Sequence, residues 1–225
     1  MGSTQKIGNA TIMNVDCMEY MRTLPDKYFD LAIVDPPYGI GMDGEIIAMS
    51  NNSSNKWKKA KGTGYIKKKW DSQKPDKEYF DTLMICSKNQ IVWGGNYFDL
   101  PQSSGWIFWD KGTAEEMTLS PGELAWTSFN KSVNKISILW AGFRKVEICK
   151  RIHPTQKPVK LYEWILTNYA KPGQTIFDSH MGSGSSAIAC NNLGFEFFGC
   201  ELDEDYYNAA CERIAQHARQ QRLFA

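Results

Sequence analysis

The sequence has no Cys-x-x-Cys pair. Its six cysteines (Cys17, Cys86, Cys149, Cys190, Cys200 and Cys211) are scattered through apolar stretches. That pattern argues against a zinc ribbon or a dithiol motif and reads as small core hydrophobes in a reducing compartment. No apolar run approaches the roughly 18 residues that a membrane-spanning helix needs. Residues 1–14 lack the apolar core of a signal peptide, so a cytoplasmic location is expected, with no membrane partner. Net charge is only +1, which excludes a global polycation. Internal repeats are missing, and 225 residues read as one domain over 1–225 with room for a substantial core.

Acids are missing locally as well. Between Glu45 and Asp71 there is none, while Lys56, Lys58, Lys59, Lys61, Lys67, Lys68 and Lys69 are interleaved with Trp57, Tyr65 and Trp70. The bland reading is a solvated loop. The functional reading is an arm that contacts phosphates and makes binding salt-dependent. The surrounding stretch, about 41–74, is poor in apolar residues and rich in Gly, Asn and Ser, so it reads as a mobile insert. Arg144, Lys145, Lys150 and Arg151 form a second basic cluster.

Elsewhere, short apolar strands alternate with helical patterns. Strands are expected at 11–15, 31–34, 90–93, 106–109, 175–178 and 196–200, with further strands or hairpin arms at 122–129 and 135–140. Helices are expected after Asp16, over 76–88, 157–170 and 185–192, and from Asp203 to the C-terminus. Such alternation argues an open, mostly parallel α/β sheet. Ligands in these sheets sit beyond the carboxyl ends of the strands. Asp16, Asp35, Asp178 and Glu201 each fall at such an end. Helix capping explains some of them; a shared cleft explains all four.

Residues 178–187 read D-S-H-M-G-S-G-S-S-A. Glycines 182 and 184 would let the backbone approach a ligand and open the next helix. Glu201 ends the next strand, where a carboxylate can accept from ribose hydroxyls. The run also fits the dinucleotide pattern G-x-G-x-x-A, so the local signal leaves the cofactor open. Asp178 ahead of the glycines suits the amino group of a cationic ligand better than a pyrophosphate, and only about forty residues follow. The other landmark is Asp35-Pro36-Pro37-Tyr38, directly after the apolar run 31–34. Two prolines there fix two φ angles and remove two donors, which leaves stiff backbone with carbonyls available.

In this order, Asp35-Pro36-Pro37-Tyr38, then His153-Pro154-Thr155-Gln156-Lys157-Pro158, then the Gly182–Gly184 loop, the chain resembles the S-adenosylmethionine-dependent amino-methyltransferases of DNA in their circularly permuted beta class. The resemblance implies a seven-stranded, Rossmann-like methyltransferase sheet with helices on both faces. It implies S-adenosyl-L-methionine as cofactor and double-stranded DNA as substrate, and it allows a homodimer and a cognate restriction endonuclease. The implied cofactor contacts are Asp16, Asp35, Thr155, Lys157, Asp178, Gly182, Ser183, Gly184, Ser185 and Glu201. The implied catalytic residues are Asp35, Pro36, Pro37 and Tyr38. Residues 113–150 stand where this family places target recognition. Ser179 and His180 depart from the proline and aromatic usual there, and His180 reads as a spacer.

The chemistry fits those residue types. An exocyclic base amine conjugates its lone pair into the ring and is a poor nucleophile. Acceptors that hold its two N–H groups favour the reactive tetrahedral nitrogen. Asp35 and the Pro36 carbonyl can do so, and Tyr38 can stack on the base. A paired base must be flipped to get there. No Pro-Cys dipeptide occurs, against the cysteine-dependent route to C5-methylcytosine. By the resemblance, an acid at 35 implies adenine N6, with cytosine N4 as the alternative. A nicotinamide-dependent oxidoreductase and a non-catalytic DNA-binding module are the rival classes.

Overall fold

Alternating apolar strands and helices assemble, in the computed structural model, around one mixed sheet. The structure describes residues 2–41, 68, 70–112, 120–141, 144–145 and 151–222. The chain begins with a hairpin, β1 (Thr4–Ile7) and β2 (Ala10–Met13), followed by α1 (Cys17–Met21) and β3 (Phe29–Val34). Next come α2 (Lys77–Cys86), β4 (Ser87–Trp93), β5 (Trp106–Asp110), β6 (Gly122–Thr127) and β7 (Asn134–Ser137). A separate two-stranded pairing joins β8 (Trp140–Ala141) to β9 (Arg144–Lys145). The last part runs α3 (Val159–Tyr169), β10 (Thr175–Asp178), α4 (Ser185–Leu193), β11 (Glu196–Cys200) and α5 (Glu204–Arg222).

The strand order is β1-β2-β11-β10-β3-β4-β6-β5-β7. The central run β2-β11-β10-β3-β4 is parallel throughout. β6 enters antiparallel between β4 and β5, and β7 lies parallel to β5. Among the described residues the sheet has nine strands, which corrects the expected seven. β1 and β7 occupy the two edges with exposed or half-exposed patterns. The polar TQKI of β1 carries little apolar signal, and pairing with β2 makes it a strand, whereas β7 falls largely within the expected stretch 135–140.

Burial on both faces explains the apolar strands. Leu31 and Ile33 join the cluster under α3, α4 and α5, with Leu161, Ile165, Ile188 and Ile214. Ala32 and Val34 join the opposite cluster, with Met21, Phe80 and Leu83 from α1 and α2. The period of two in β3 thus serves two cores at once. Helix α2 ends at Cys86 and β4 follows directly at Ser87, which pairs with Phe29; the helix expected to reach residue 88 stops two residues sooner. Helix α3 starts at Val159, with Pro158 as its N-cap at φ −69 and ψ 146. A proline disfavours helical geometry in the residue before it, so Lys157 stands outside the helix.

Candidate active site

Asp16, Asp35 and Glu201 follow the carboxyl ends of β2, β3 and β11, three strands within the parallel run. They line one cavity of about 670 Å³, together with Thr155, Lys157, Gly182 and Ser183. Asp178 ends β10 behind this wall and is 1% exposed. Gly184 and Ser185 are likewise absent from the lining. The strand-end position therefore puts three of the four acids on the cleft and one beneath it.

Asp16 also caps α1, its Oδ1 accepting from the amides of Met18 at 2.7 Å and Glu19 at 3.2 Å. Glu201 closes the glycine loop onto β11. Its Oε2 accepts from Gly182 N at 2.9 Å and its Oε1 from Asp203 N at 2.9 Å. Burial pushes the Glu201 carboxyl up to about 7 in spite of those amides. Asp178 Oδ1 accepts from His180 N, and its Oδ2 from the Ser186 hydroxyl at 2.7 Å. Burial pushes it to about 7 as well. Gly184 has a packing reason to lack a Cβ. It sits at φ +72, and a Cβ there would lie 2.7 Å from Ile214 Cδ1 of α5.

The Asp35 carboxylate is held on both oxygens. The Tyr38 hydroxyl donates to Oδ1 at 2.6 Å, and the Lys157 ammonium donates to Oδ2 at 2.5 Å. The Tyr38 ring, expected to stack on a base, is stacked on Tyr97 with centroids 5.0 Å apart and planes 15° apart. A Cβ at Gly94 would lie 2.3 Å from the Tyr38 ring, so the glycine at φ +65 makes room for the tyrosine. Sequence reasoning missed Asp71. It is 2% exposed, and its Oδ1 accepts from the amides of Tyr38 at 2.7 Å and Gly39 at 2.8 Å. That fixes the exit of the D-P-P-Y turn from 33 residues away, a separation without a sequence signal. Glu123 was missed as well. It lies 3.1 Å from Lys157 Nζ and pairs with Lys111.

Both cavity histidines are neutral at ordinary pH, because burial lowers His153 and His180 to about 4. His180 Nδ1 lies 2.9 Å from Ser179 Oγ, which contacts the Tyr79 hydroxyl at 2.6 Å. Burial, with Asp16 adding to it, raises the Cys17 thiol to about 12, so it is no nucleophile. Lys68 is paired with Asp203 and Asp205, each at 2.6 Å, at the cavity mouth. Lys56, Lys58, Lys59, Lys61, Lys67 and Lys69 lie outside the described residues, as do Lys150 and most of 41–67. For Arg144 and Lys145 the backbone pairing in β8–β9 is what the structure describes. Trp126 and Trp140 are buried, each with its indole N–H on a backbone carbonyl, in keeping with a core role. Among the described residues, no group of His, Cys, Asp and Glu is arranged to hold a metal, and no helix is long and apolar enough to cross a membrane.

The family profile described as DNA methylase matches residues 109–212. The Type II methyltransferase M.HinfI of Haemophilus influenzae is 23% identical over 92% of this chain and 68% of its own length. The crystal structure of the M1.HpyAVI–SAM complex superposes with a TM-score of 0.54 at 18% identity, over 91% of this chain and 99% of that one. The cytosine-N4-specific PvuII DNA methyltransferase gives 0.56 at 13% identity, over 96% and 93%. The two structures speak to the fold. The profile and the curated relative support a DNA methyltransferase of the N6/N4 type.

Proposed function

We propose that this chain methylates the exocyclic N6 amine of a flipped adenine in double-stranded DNA, using S-adenosylmethionine, on a circularly permuted methyltransferase sheet. One observation carries the reading: Asp35 of the D-P-P-Y turn and the Gly182–Ser183 loop line the same cavity. The residues fit the cofactor. A volume of about 670 Å³ is in the range of pockets that enclose such molecules. Asp16 and Glu201 place carboxyl oxygens on the cavity wall as acceptors, the charge of Asp35 is balanced by Lys157, and the neutral histidines add no positive charge. Glu201 would accept from the ribose hydroxyls, with Asp16, Thr155, Gly182 and Ser183 around the rest. Asp178, Gly184 and Ser185 would act from behind, by shaping the loop.

When bound, S-adenosylmethionine would supply a methyl group on a sulfonium, which an amine lone pair can take directly with release of the thioether, the methylated nitrogen then giving up one proton to water. The protein's part is to orient the amine. The Asp35 carboxylate and the Pro36 carbonyl accept its two N–H bonds, and Asp35 stabilises the positive charge that develops on nitrogen. Pro37 keeps the turn rigid. The Tyr38–Tyr97 pair forms an aromatic wall for the base, and Tyr38 orients Asp35 through its hydroxyl. The lysines of 56–69, with Arg144 and Lys145, would meet the phosphates, and 113–150 would read the target.

The test is incubation with tritiated-methyl S-adenosylmethionine and unmethylated DNA, followed by nucleoside digestion and mass analysis. N6-methyladenine is expected. N4-methylcytosine, matching the specificity of the PvuII neighbour, would keep the mechanism and change the base. Bound cofactor with no label on varied DNA would refute the reading.

A further inference from the structure

Lys157 carries a charge in a place where a charge is costly. Its side chain is 4% exposed, and an isolated ammonium there would lose several kcal/mol of hydration. Two carboxylates hold it, Asp35 Oδ2 at 2.5 Å and Glu123 Oε2 at 3.1 Å. Glu123 Oε1 is in turn bound to Lys111 at 2.5 Å. Burial alone lowers the Lys157 ammonium, but Asp35 and Glu123 more than reverse this and carry it above the ordinary lysine value. Burial raises Glu123, yet Lys157 and Lys111 outweigh it and hold the carboxyl at about 2. The result is a row of alternating charges, Lys111, Glu123, Lys157 and Asp35, in balance.

The backbone of Lys157 is fixed as well. Its carbonyl accepts from the Ser185 hydroxyl at 2.7 Å, and Ser185 opens the helix after the glycine loop. One residue thus ties together the D-P-P-Y turn, the glycine-loop helix and β6, whose contacting residues lie 28 to 122 positions from Lys157 in the sequence.

We propose that Lys157 is a positioning residue for methyl transfer, its ammonium anchored by Glu123 so that it sets the plane of the Asp35 carboxylate toward the target amine. This role rests on the methyltransferase reading above. A carboxylate on a turn rotates broadly about its last torsion. Tyr38 fixes one Asp35 oxygen and Lys157 fixes the other. Each carboxylate oxygen has a second lone pair to offer, so the base amine can be received in a plane already defined. Two of the ammonium's three N–H groups are committed to these carboxylates, which leaves at most the third for a cofactor; the cofactor Kd separates that role from positioning.

The experiment compares the wild-type protein with Lys157→Met, Glu123→Gln and the double variant Lys157→Met/Glu123→Gln. Each is measured for its single-turnover methylation rate on DNA and for its S-adenosylmethionine Kd by calorimetry. Lys157→Met leaves two acids facing one lysine and risks misfolding. The double variant removes one cation and one anion together, which keeps the balance. A misplaced acceptor costs on the order of 100-fold in rate, so the double variant should lose about that much while its Kd stays within about threefold. Glu123→Gln should lose rate more modestly, again at constant Kd. A wild-type rate in the double variant, or a Kd weakened in proportion to the rate, would overturn the role of Lys157 alone. Absence of methyl transfer by the wild-type protein would overturn that role together with the reading beneath it.

Discussion

Replacing Asp35 should separate chemistry from cofactor binding. Asp35→Ala removes the acceptor that both Tyr38 and Lys157 use. Lys157 keeps Glu123 at 3.1 Å, so the ammonium is not stranded. The Tyr38 hydroxyl, in a largely buried setting, loses its acceptor, which costs about 1–3 kcal/mol. For a chain of this size that is a fall in Tm of roughly 2–12 °C. The effect on transfer should be larger. Removing one preorganised hydrogen-bonding group at a reacting centre costs about 100- to 1000-fold in rate, and Asp35 is the charged one of the two proposed acceptors. Asp35→Asn keeps the shape and one acceptor oxygen, so its loss of rate and of Tm should both be smaller. Single-turnover methylation, measured well below the lowered Tm, gives the rate, and calorimetry gives the cofactor Kd. The rate should fall by about 100-fold or more in Asp35→Ala while Kd moves by less than about threefold. Equal losses in both would refute the division of labour and make Asp35 chiefly a cofactor ligand.

Other substitutions probe the frame around the site. Gly184→Ala places a Cβ 2.7 Å from Ile214 Cδ1 at a φ of +72; strain and overpacking together should destabilise by about 2–4 kcal/mol. Ile214→Val, which deletes that contact atom, should return part of the lost Tm in the double variant; no rescue would rule out the clash as the cause. Asp178 and Glu201, raised to about 7, bind more protons folded than unfolded. Their contribution is therefore full below the unfolded value near 4 and is lost as pH rises through about 7. His153 and His180, lowered to about 4, act in the opposite sense, with stability present above about 6.5 and lost as pH falls through about 4. Thermal scans of cofactor-free protein should thus be nearly flat in this window. Glu201→Gln should make Tm climb with pH, and an unchanged profile would show that Glu201 titrates normally. Replacing the seven lysines of 56–69 by glutamine should weaken DNA binding and flatten its dependence on salt. Lys68, already paired with two acids, should contribute least, and an unaltered slope would return the segment to a solvated loop.

The motifs are legible in the sequence because their physics is local. Apolar runs such as Leu31–Val34 and Ile176–Phe177 can only be buried strands, Asp16 and Asp203 precede helices as caps do, and glycines 182 and 184 turn a strand into a helix. Acids at strand ends point to the cleft from chain order alone for Asp16, Asp35 and Glu201, while Asp178 lies beneath it. Edge strand β1 is hidden, since its residues are polar and pairing alone defines it. The purpose of Gly184 is hidden too, because the atom that demands a glycine belongs to Ile214, about thirty residues on.

The chain by itself determined most of the strands and helices and which motifs stand at the carboxyl ends of the strands. Only the tertiary structure decided what each side chain touches there: that Tyr38 rests on Tyr97, that Asp71 holds the turn behind it, and that Lys157 faces Asp35 and Glu123. Periodicity and spacing encode which face of an element is apolar. They do not encode which charge on one element meets which charge on another, because those meetings depend on how distant segments cross in space.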